Sequence, residues 1–380
     1  MRSGMISFWE QDMVSHADFV VIGAGIIGIS TAISLRMRHK HARIVILERG
    51  AFPTGASTRN AGFACFGSLT ELAVNVKEWG ENTTYTIVEK RKKGLELLRK
   101  RLGSDEACGY EHFGGYELLT SAQEHHRASM DAINTLLAPI FGSVPFIDCS
   151  DVRHSFGFGQ TVTGMIHCPF EGQIHSGKTM ASLAKYAKQM GIDILCGISV
   201  DNLSSHSHGV EIEVRIAPMH SRSTFTAEYC VVCTNAMIPE LIPDISIVPG
   251  RGQVLLTSPI EHLPFQGVFH YDEGYYYFRN VGKRVLLGGG RNLDFVGEQT
   301  SAFALTDTIQ DALERLLRDV IVPQCEYKIE QRWAGIMGFS NTKLPIVRFV
   351  NARTAIGFGC NGMGVALGSI IGEETANLFD

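Results

Sequence analysis

The sequence has no long basic run, no uninterrupted apolar stretch of membrane-spanning length and no cysteine set at metal-ligand spacing. Each absence excludes a class of protein. Lys and Arg together number 34 against 39 Asp and Glu, a formal charge of −5, so there is no basic field for nucleic acid. The short cluster Lys90-Arg91-Lys92-Lys93 reads as a solvated helix face. The apolar run from Phe19 to Ile33 is interrupted by Gly23, Gly25 and Gly28 and is shorter than a bilayer span. Met1 to Ala17 is polar and lacks the apolar centre of a signal peptide, which leads to the expectation of a cytoplasmic protein without a transmembrane segment. Nine cysteines are scattered along the chain. Cys230 and Cys233 form a C-x-x-C pattern, but they lie in an apolar, strand-like run. Residues i and i+3 of a strand point to opposite faces, so buried core cysteines are expected and no metal.

What remains is ordinary soluble-enzyme material, 45% hydrophobic and 19% charged. At 380 residues it exceeds one compact core, so two domains are expected. The informative stretch runs from Asp18 to Glu48. Asp18 to Ile22 has the length of a buried strand, and Gly23-Ala24-Gly25-Ile26-Ile27-Gly28 reads G-x-G-x-x-G. Ile29 to Arg36 has helical apolar spacing, Arg43 to Leu47 is a second strand, and Glu48 stands 20 positions beyond Gly28. Gly23 permits the tight turn, Gly25 lets a pyrophosphate approach the backbone, and Gly28 lets the helix pack close to the sheet. The helix start offers unpaired N–H groups to the phosphates. Glu48 is placed to accept ribose hydroxyls and to repel an NADP 2′-phosphate. Together these elements make a dinucleotide-binding fingerprint.

A second small, glycine-spaced stretch follows. Arg49 leads to Gly55-Ala56-Ser57-Thr58-Arg59-Asn60-Ala61-Gly62-Phe63, which is poor core material and suits backbone contact with a ligand. The succession of strand, G-x-G-x-x-G, Glu48-Arg49 and G-A-S-x-x-N-A-G resembles the amino-acid oxidase superfamily of FAD enzymes. Glycine oxidase, sarcosine oxidase and the D-amino-acid dehydrogenases belong to that superfamily. The resemblance extends at intervals over nearly the whole chain. It implies an α/β fold, with a discontinuous Rossmann-type FAD domain and an α+β substrate domain on a mostly antiparallel sheet. The expected division is 1–80, 170–248 and 331–380 for FAD, and 81–169 and 249–330 for substrate.

The resemblance also implies site residues. The loop from Gly55 to Phe63 would carry the flavin and its pyrophosphate. Val200 would offer its backbone to the adenine edge, and Thr234-Asn235-Ala236 would pass beside the dinucleotide. Gly335 starts the return to the cofactor. Gly359-Cys360-Asn361-Gly362-Met363-Gly364-Val365 is a last glycine-rich turn, whose helix N-terminus would face the pyrimidine side of the flavin. Two departures concern the substrate. The amino-acid-oxidising members hold the substrate carboxylate with arginines, and Met337 and Cys360 stand at the matching positions. Tyr276 matches a substrate-contacting tyrosine to within one in register. Arg279 is a replacement carboxylate anchor or a structural residue. Sarcosine-type members bind flavin through a cysteine near Gly335 to Met337, and no cysteine occurs there, so noncovalent FAD is expected.

The expected chemistry is therefore oxidation of the C–N bond of a small amino acid or amine by hydride transfer to flavin N5. It requires orientation and exclusion of water rather than a Ser/His/Asp set. Oxygen or a quinone would take the electrons, and oligomerisation is compatible with the sequence. Oxidation of a 2-hydroxy acid, or nucleotide binding without turnover, are the alternatives.

Overall fold

The computed structural model describes Trp9, residues 16–217 and residues 221–380; most of the polar N-terminal stretch thus lies outside the described residues. Five parallel strands run side by side in the order Asp193–Cys196, Ile44–Glu48, His16–Ile22, Ser221–Val232 and Thr354–Phe358. By position in the chain that order is 3-2-1-4-5, the doubly wound arrangement that opens a ligand crevice at the carboxyl ends of its strands. Ile346–Phe349 adds an antiparallel edge, and Ile198–His206 and Gly209–Ile216 continue from Ser221–Val232 as an antiparallel meander.

Both faces of this sheet are covered, as a parallel sheet requires. Phe19, Val21, Ile44 and Ile46 belong to one apolar cluster, and Val20, Ile22, Val45 and Leu47 belong to another. Cys233 falls in the first cluster and Cys230 in the second, as their spacing on a strand implies. The helix Ile26–Arg38 covers the first face and is in turn covered by the terminal helix Gly364–Ala376. Their approach depends on small residues: a Cβ on Gly372 would stand 2.6 Å from Ser30 Cβ and 2.7 Å from Thr31 N.

The second sheet has eight strands, ordered Ile329–Ser340, Ile247–Thr257, Arg284–Gly289, Tyr276–Val281, Val268–Tyr271, Gly115–Leu119, Gly164–Cys168 and Ile147–Asp148. All neighbours are antiparallel except Val268–Tyr271 and Gly115–Leu119. One face packs Phe269, Phe278 and Leu287 against Ile309 and Leu313 of the helix Asp307–Leu316. The other face looks toward the glycine-rich loop, whose Phe63–Ala64 pairs with Gly172–Gln173.

Two stretches differ from their expected place. The helix Leu69–Trp79 ends at Gly80, whose φ of +80° turns the chain, and Glu81–Leu102, expected in the substrate domain, follows. That second helix packs against the terminal helix, with Gly94 over Ala366, and so joins the core of the dinucleotide half. Ile329–Ser340, placed largely with the FAD domain by sequence, is an edge strand of the second sheet. No helix among the described residues is long and apolar enough to cross a membrane.

Candidate functional site

The glycine turn is shaped by three separate constraints. Gly23 adopts φ +99°, a left-handed conformation that excludes most side chains, and a Cβ there would stand 2.9 Å from Cys233 O. A Cβ on Gly28 would lie 2.0 Å from Gly23 O, so this glycine closes the helix onto the turn. A Cβ on Gly25 would meet nothing nearer than Ser57 Oγ at 3.2 Å. Its missing side chain leaves room for a ligand rather than for the protein. The helix Ile26–Arg38 has no side-chain cap at Gly25, while the Ile26 N–H donates to Ser57 Oγ at 2.9 Å. The second loop thus already reaches the mouth of the first.

Glu48 does more than sequence reasoning assigned to it. It is 9% exposed; Oε2 accepts the Ala24 N–H at 3.0 Å and Oε1 accepts the Gly50 N–H at 2.9 Å. The carboxylate fixes the glycine turn, and each oxygen keeps acceptor capacity for a ribose hydroxyl. Gly197 N–H donates to Gly50 O at 2.9 Å, which brings the strand carrying Val200 beside Glu48. That strand pairs on one side only, with Gly209–Ile216.

The loop from Gly55 to Phe63 is braced from inside. Asn60 Nδ2 donates to the Ala56 and Ser57 carbonyls, and its Oδ1 accepts from Gly62 N–H and the Ser176 hydroxyl. Arg59 donates to Thr54 O and Ala334 O, and Trp333 Nε1 donates back to Arg59 O. Gly335 lies against Arg59: a Cβ on it would be 3.2 Å from Arg59 Cβ. On the far side, Thr234 has a buried hydroxyl without a partner, and Asn235 holds φ +53° while donating to Ile336 O. The last turn uses Gly359 at φ +108°, Asn361 at φ +45° and Gly362 at φ +94°. It delivers the terminal helix with no side-chain cap, and beyond Gly364 there is only Cys360, at 3.8 Å from a Cβ.

These features fit FAD. An open cradle at Gly25, two uncapped helix starts and an orphaned Thr234 hydroxyl are what a dinucleotide would fill and satisfy. Glu48, Ser57 and the turn at Gly23–Gly28 would hold the adenosine and pyrophosphate end, and Gly359–Val365 the flavin end.

The substrate side follows from the second sheet. Strand pairing sets Tyr277 opposite His270 on one neighbour and Gly288 on the other, all on one face. Phe63 of the glycine-rich loop lies edge-on to both, 5.7 Å from the Tyr277 ring and 5.4 Å from the His270 ring. Tyr276 points the other way, into the cluster with Phe278, Leu287 and Ile309. The register therefore resolves one position from the sequence match: Tyr277, not Tyr276, meets the flavin loop. Gly252 gives space to Met337 Cε and the Tyr277 hydroxyl, at 3.1 and 3.6 Å from a Cβ. Burial pushes the Tyr277 phenol up to about 12 and the Cys360 thiol to about 12, so both are uncharged. His270 is 9% exposed, its Nε2 has no partner among the described residues, and burial pulls its pKa down, favouring a neutral ring.

Arg279 shares the face of Tyr277, but two of its nitrogens already donate to backbone carbonyls. Nε donates to Ala61 O at 2.5 Å and Nη2 to Ile174 O at 3.0 Å. It is 7% exposed, and burial lowers its pKa to about 10. The structure thus places it as a clamp between the second sheet and the flavin loop.

Comparison with known proteins agrees with this architecture. Residues 18–378 match the family model described as FAD dependent oxidoreductase. A probable oxidoreductase, OrdL, of Haemophilus influenzae is 22% identical over 99% of this chain and 85% of its own length. The bifunctional protein ThiO/ThiG of Synechocystis is 24% identical over 92% of this chain; the chain spans about half of that protein, 50%. The crystal structure of L-proline dehydrogenase from P. horikoshii superposes with a TM-score of 0.77, covering 96% of this chain and 94% of that one at 17% identity. With the family model matched from the first strand to the terminal helix and the cradle built to suit its cofactor, this chain belongs to the FAD-dependent oxidoreductase family.

Proposed function

We propose that this FAD-dependent oxidoreductase oxidises the C–N bond of a small amino acid or amine, with hydride transfer to flavin N5. The observation that carries the reading is the wall formed by Phe63, His270, Tyr277 and Met337. It offers apolar surface, one uncharged phenol and one uncharged imidazole with a free ring nitrogen. Such a wall favours a neutral amine over an ammonium ion, because burying an unpaired charge is costly. The flavin, when bound, supplies the two-electron oxidation. The residues need only orient the Cα–H and keep water out. Oxygen or a quinone is the proposed acceptor. Nine unpaired cysteines support a reducing, cytoplasmic location.

The test is anaerobic mixing of the yellow protein with small amino acids, N-methyl amino acids, their decarboxylated amines and 2-hydroxy acids. Bleaching of the flavin by amines or amino acids is the expected result. Bleaching by 2-hydroxy acids alone would overturn it, as would a flavin reduced by dithionite but by none of the panel.

A further inference from the structure

The arginines that hold carboxylates in the resembled enzymes are replaced here by Met337 and Cys360, and Arg279 is committed to two carbonyls. We propose that Arg291, reaching the same sheet face from a neighbouring turn, receives the carboxylate of the substrate. The inference rests on the amino-acid reading above and assigns the substrate its carboxylate.

The placement follows from four glycines. Gly288 leaves space for the Tyr277 ring, which would lie 2.5 Å from a Cβ. Gly289, at φ +124°, and Gly290, at φ +74°, turn the chain sharply; a Cβ on Gly289 would stand 2.1 Å from Tyr275 O. The turn carries Arg291 back over Gly250, where a Cβ would be 3.0 Å from Arg291 Cζ and 2.5 Å from the Phe339 ring. Gly250 pairs with Met337, and Gly252, two residues on, lies beneath Met337 Cε and the Tyr277 hydroxyl. Arg291, Met337 and Tyr277 are therefore neighbours along one wall.

The surroundings of the guanidinium suit an anion. Its Cζ lies over the Phe339 ring at 4.5 Å and over the Phe295 ring at 5.2 Å, so two aromatic faces flank it. Its Nε is buried without a partner, and it forms no hydrogen bond or ion pair with any described residue. The nearby carboxylate, Glu298, is already engaged: it binds Arg251 through both oxygens, at 2.7 and 2.8 Å, and also accepts from Gln253 at 2.9 Å. A half-buried cation flanked by two rings, with its fork unused among the described residues, suits a bidentate carboxylate. The same loop returns to the flavin side, where Arg59 lies 4.4 Å over the Phe303 ring.

The experiment uses the FAD-loaded protein and two pairs of inert probes, acetate with acetamide and benzoate with benzamide. Binding is read from the shift of the flavin absorption band. In Arg291→Gln the carboxylates should bind about tenfold or more weakly, while the amides change little, since a charge-assisted contact is lost. Arg291→Lys, made in parallel in case the glutamine variant does not fold, should fall between. FAD content per polypeptide should stay at the wild-type level in both. Carboxylates that bind the variants as tightly as wild type, or an equal loss for amides, would overturn the proposal, as would wild-type protein that binds no carboxylate. A protein that binds benzoate through Arg291 but is bleached by no amine would sink the C–N reading and leave the carboxylate site standing.

Discussion

Gly25 and Gly28 stand three positions apart, and a side chain on each should fail for a different reason. At Gly28 the obstacle is the protein itself, Gly23 O at 2.0 Å; at Gly25 it is the space a pyrophosphate would take. Gly28→Ala should therefore destabilise the apoprotein by about 1–3 kcal/mol, an overpacking cost seen as a lower Tm. Gly25→Val should keep the apoprotein Tm near wild type and lose FAD during purification. Flavin retained by Gly25→Val would remove the cradle argument. The sequence fingerprint assigns the two glycines these different roles, and the structure supplies the atoms: Gly23 O against Gly28, open space at Gly25. Residue choice on the substrate wall was less legible still. Three consecutive tyrosines, Tyr275 to Tyr277, leave a strand's two-residue period with two possible phases, and only the pairing with Gly288 and His270 selects Tyr277.

At the scale of elements, the segment that follows the flavin loop is fastened by buried acids. Glu171 Oε1 accepts the Phe66 N–H at 2.7 Å, and Glu117 accepts from the Thr70 N–H and hydroxyl. Arg91 donates to Phe66 O at 2.7 Å and pairs with Glu71 at 2.9 Å. Desolvation raises Glu171 to about 8 and Glu117 to about 7; Glu71 adds to the rise in both, and Arg91 partly offsets it at Glu171. The sign is that of an acid protonated when folded and ionised when unfolded. Between about pH 4.5 and 8 the unfolded chain binds fewer protons, so stability falls as pH rises through that window. Thermal melts of the FAD-loaded protein from pH 5 to 8.5 should show a falling Tm, and Glu171→Gln should flatten the slope. A slope unchanged in Glu171→Gln would assign the effect elsewhere. The buried thiols Cys65 and Cys168, also raised by desolvation and by Glu171, do not ionise in this window.

For the whole molecule, the cofactor would join elements that are far apart in the chain: the turn at Gly23, the loop at Gly55 and the turn at Gly359. Burial holds the Cys65 and Cys360 thiols protonated, so neither is a ready nucleophile toward the flavin, and no cysteine lies between Gly335 and Met337. Acid precipitation should leave a colourless pellet and free FAD in solution; colour remaining in the pellet would contradict noncovalent binding. Added FAD should also raise the Tm of apoprotein, by about 2.7 kcal/mol of stability at a hundredfold excess over Kd.

The sequence by itself determined the dinucleotide half, because its signals are local. A strand, a glycine turn, a helix and a spaced acid lie within 31 residues, from Asp18 to Glu48. The missing arginines at Met337 and Cys360 were equally legible, through resemblance. Only the tertiary structure shows which neighbouring cations are already engaged. Arg279 became a clamp because Ala61 and Ile174, 218 and 105 positions away, bring carbonyls to its fork. Arg291 is left without a hydrogen-bond partner for its side chain among the described residues, because three glycines fold it over Gly250 while Arg251 occupies Glu298. Which cation is engaged depends on pairings across a sheet, and no local pattern records them.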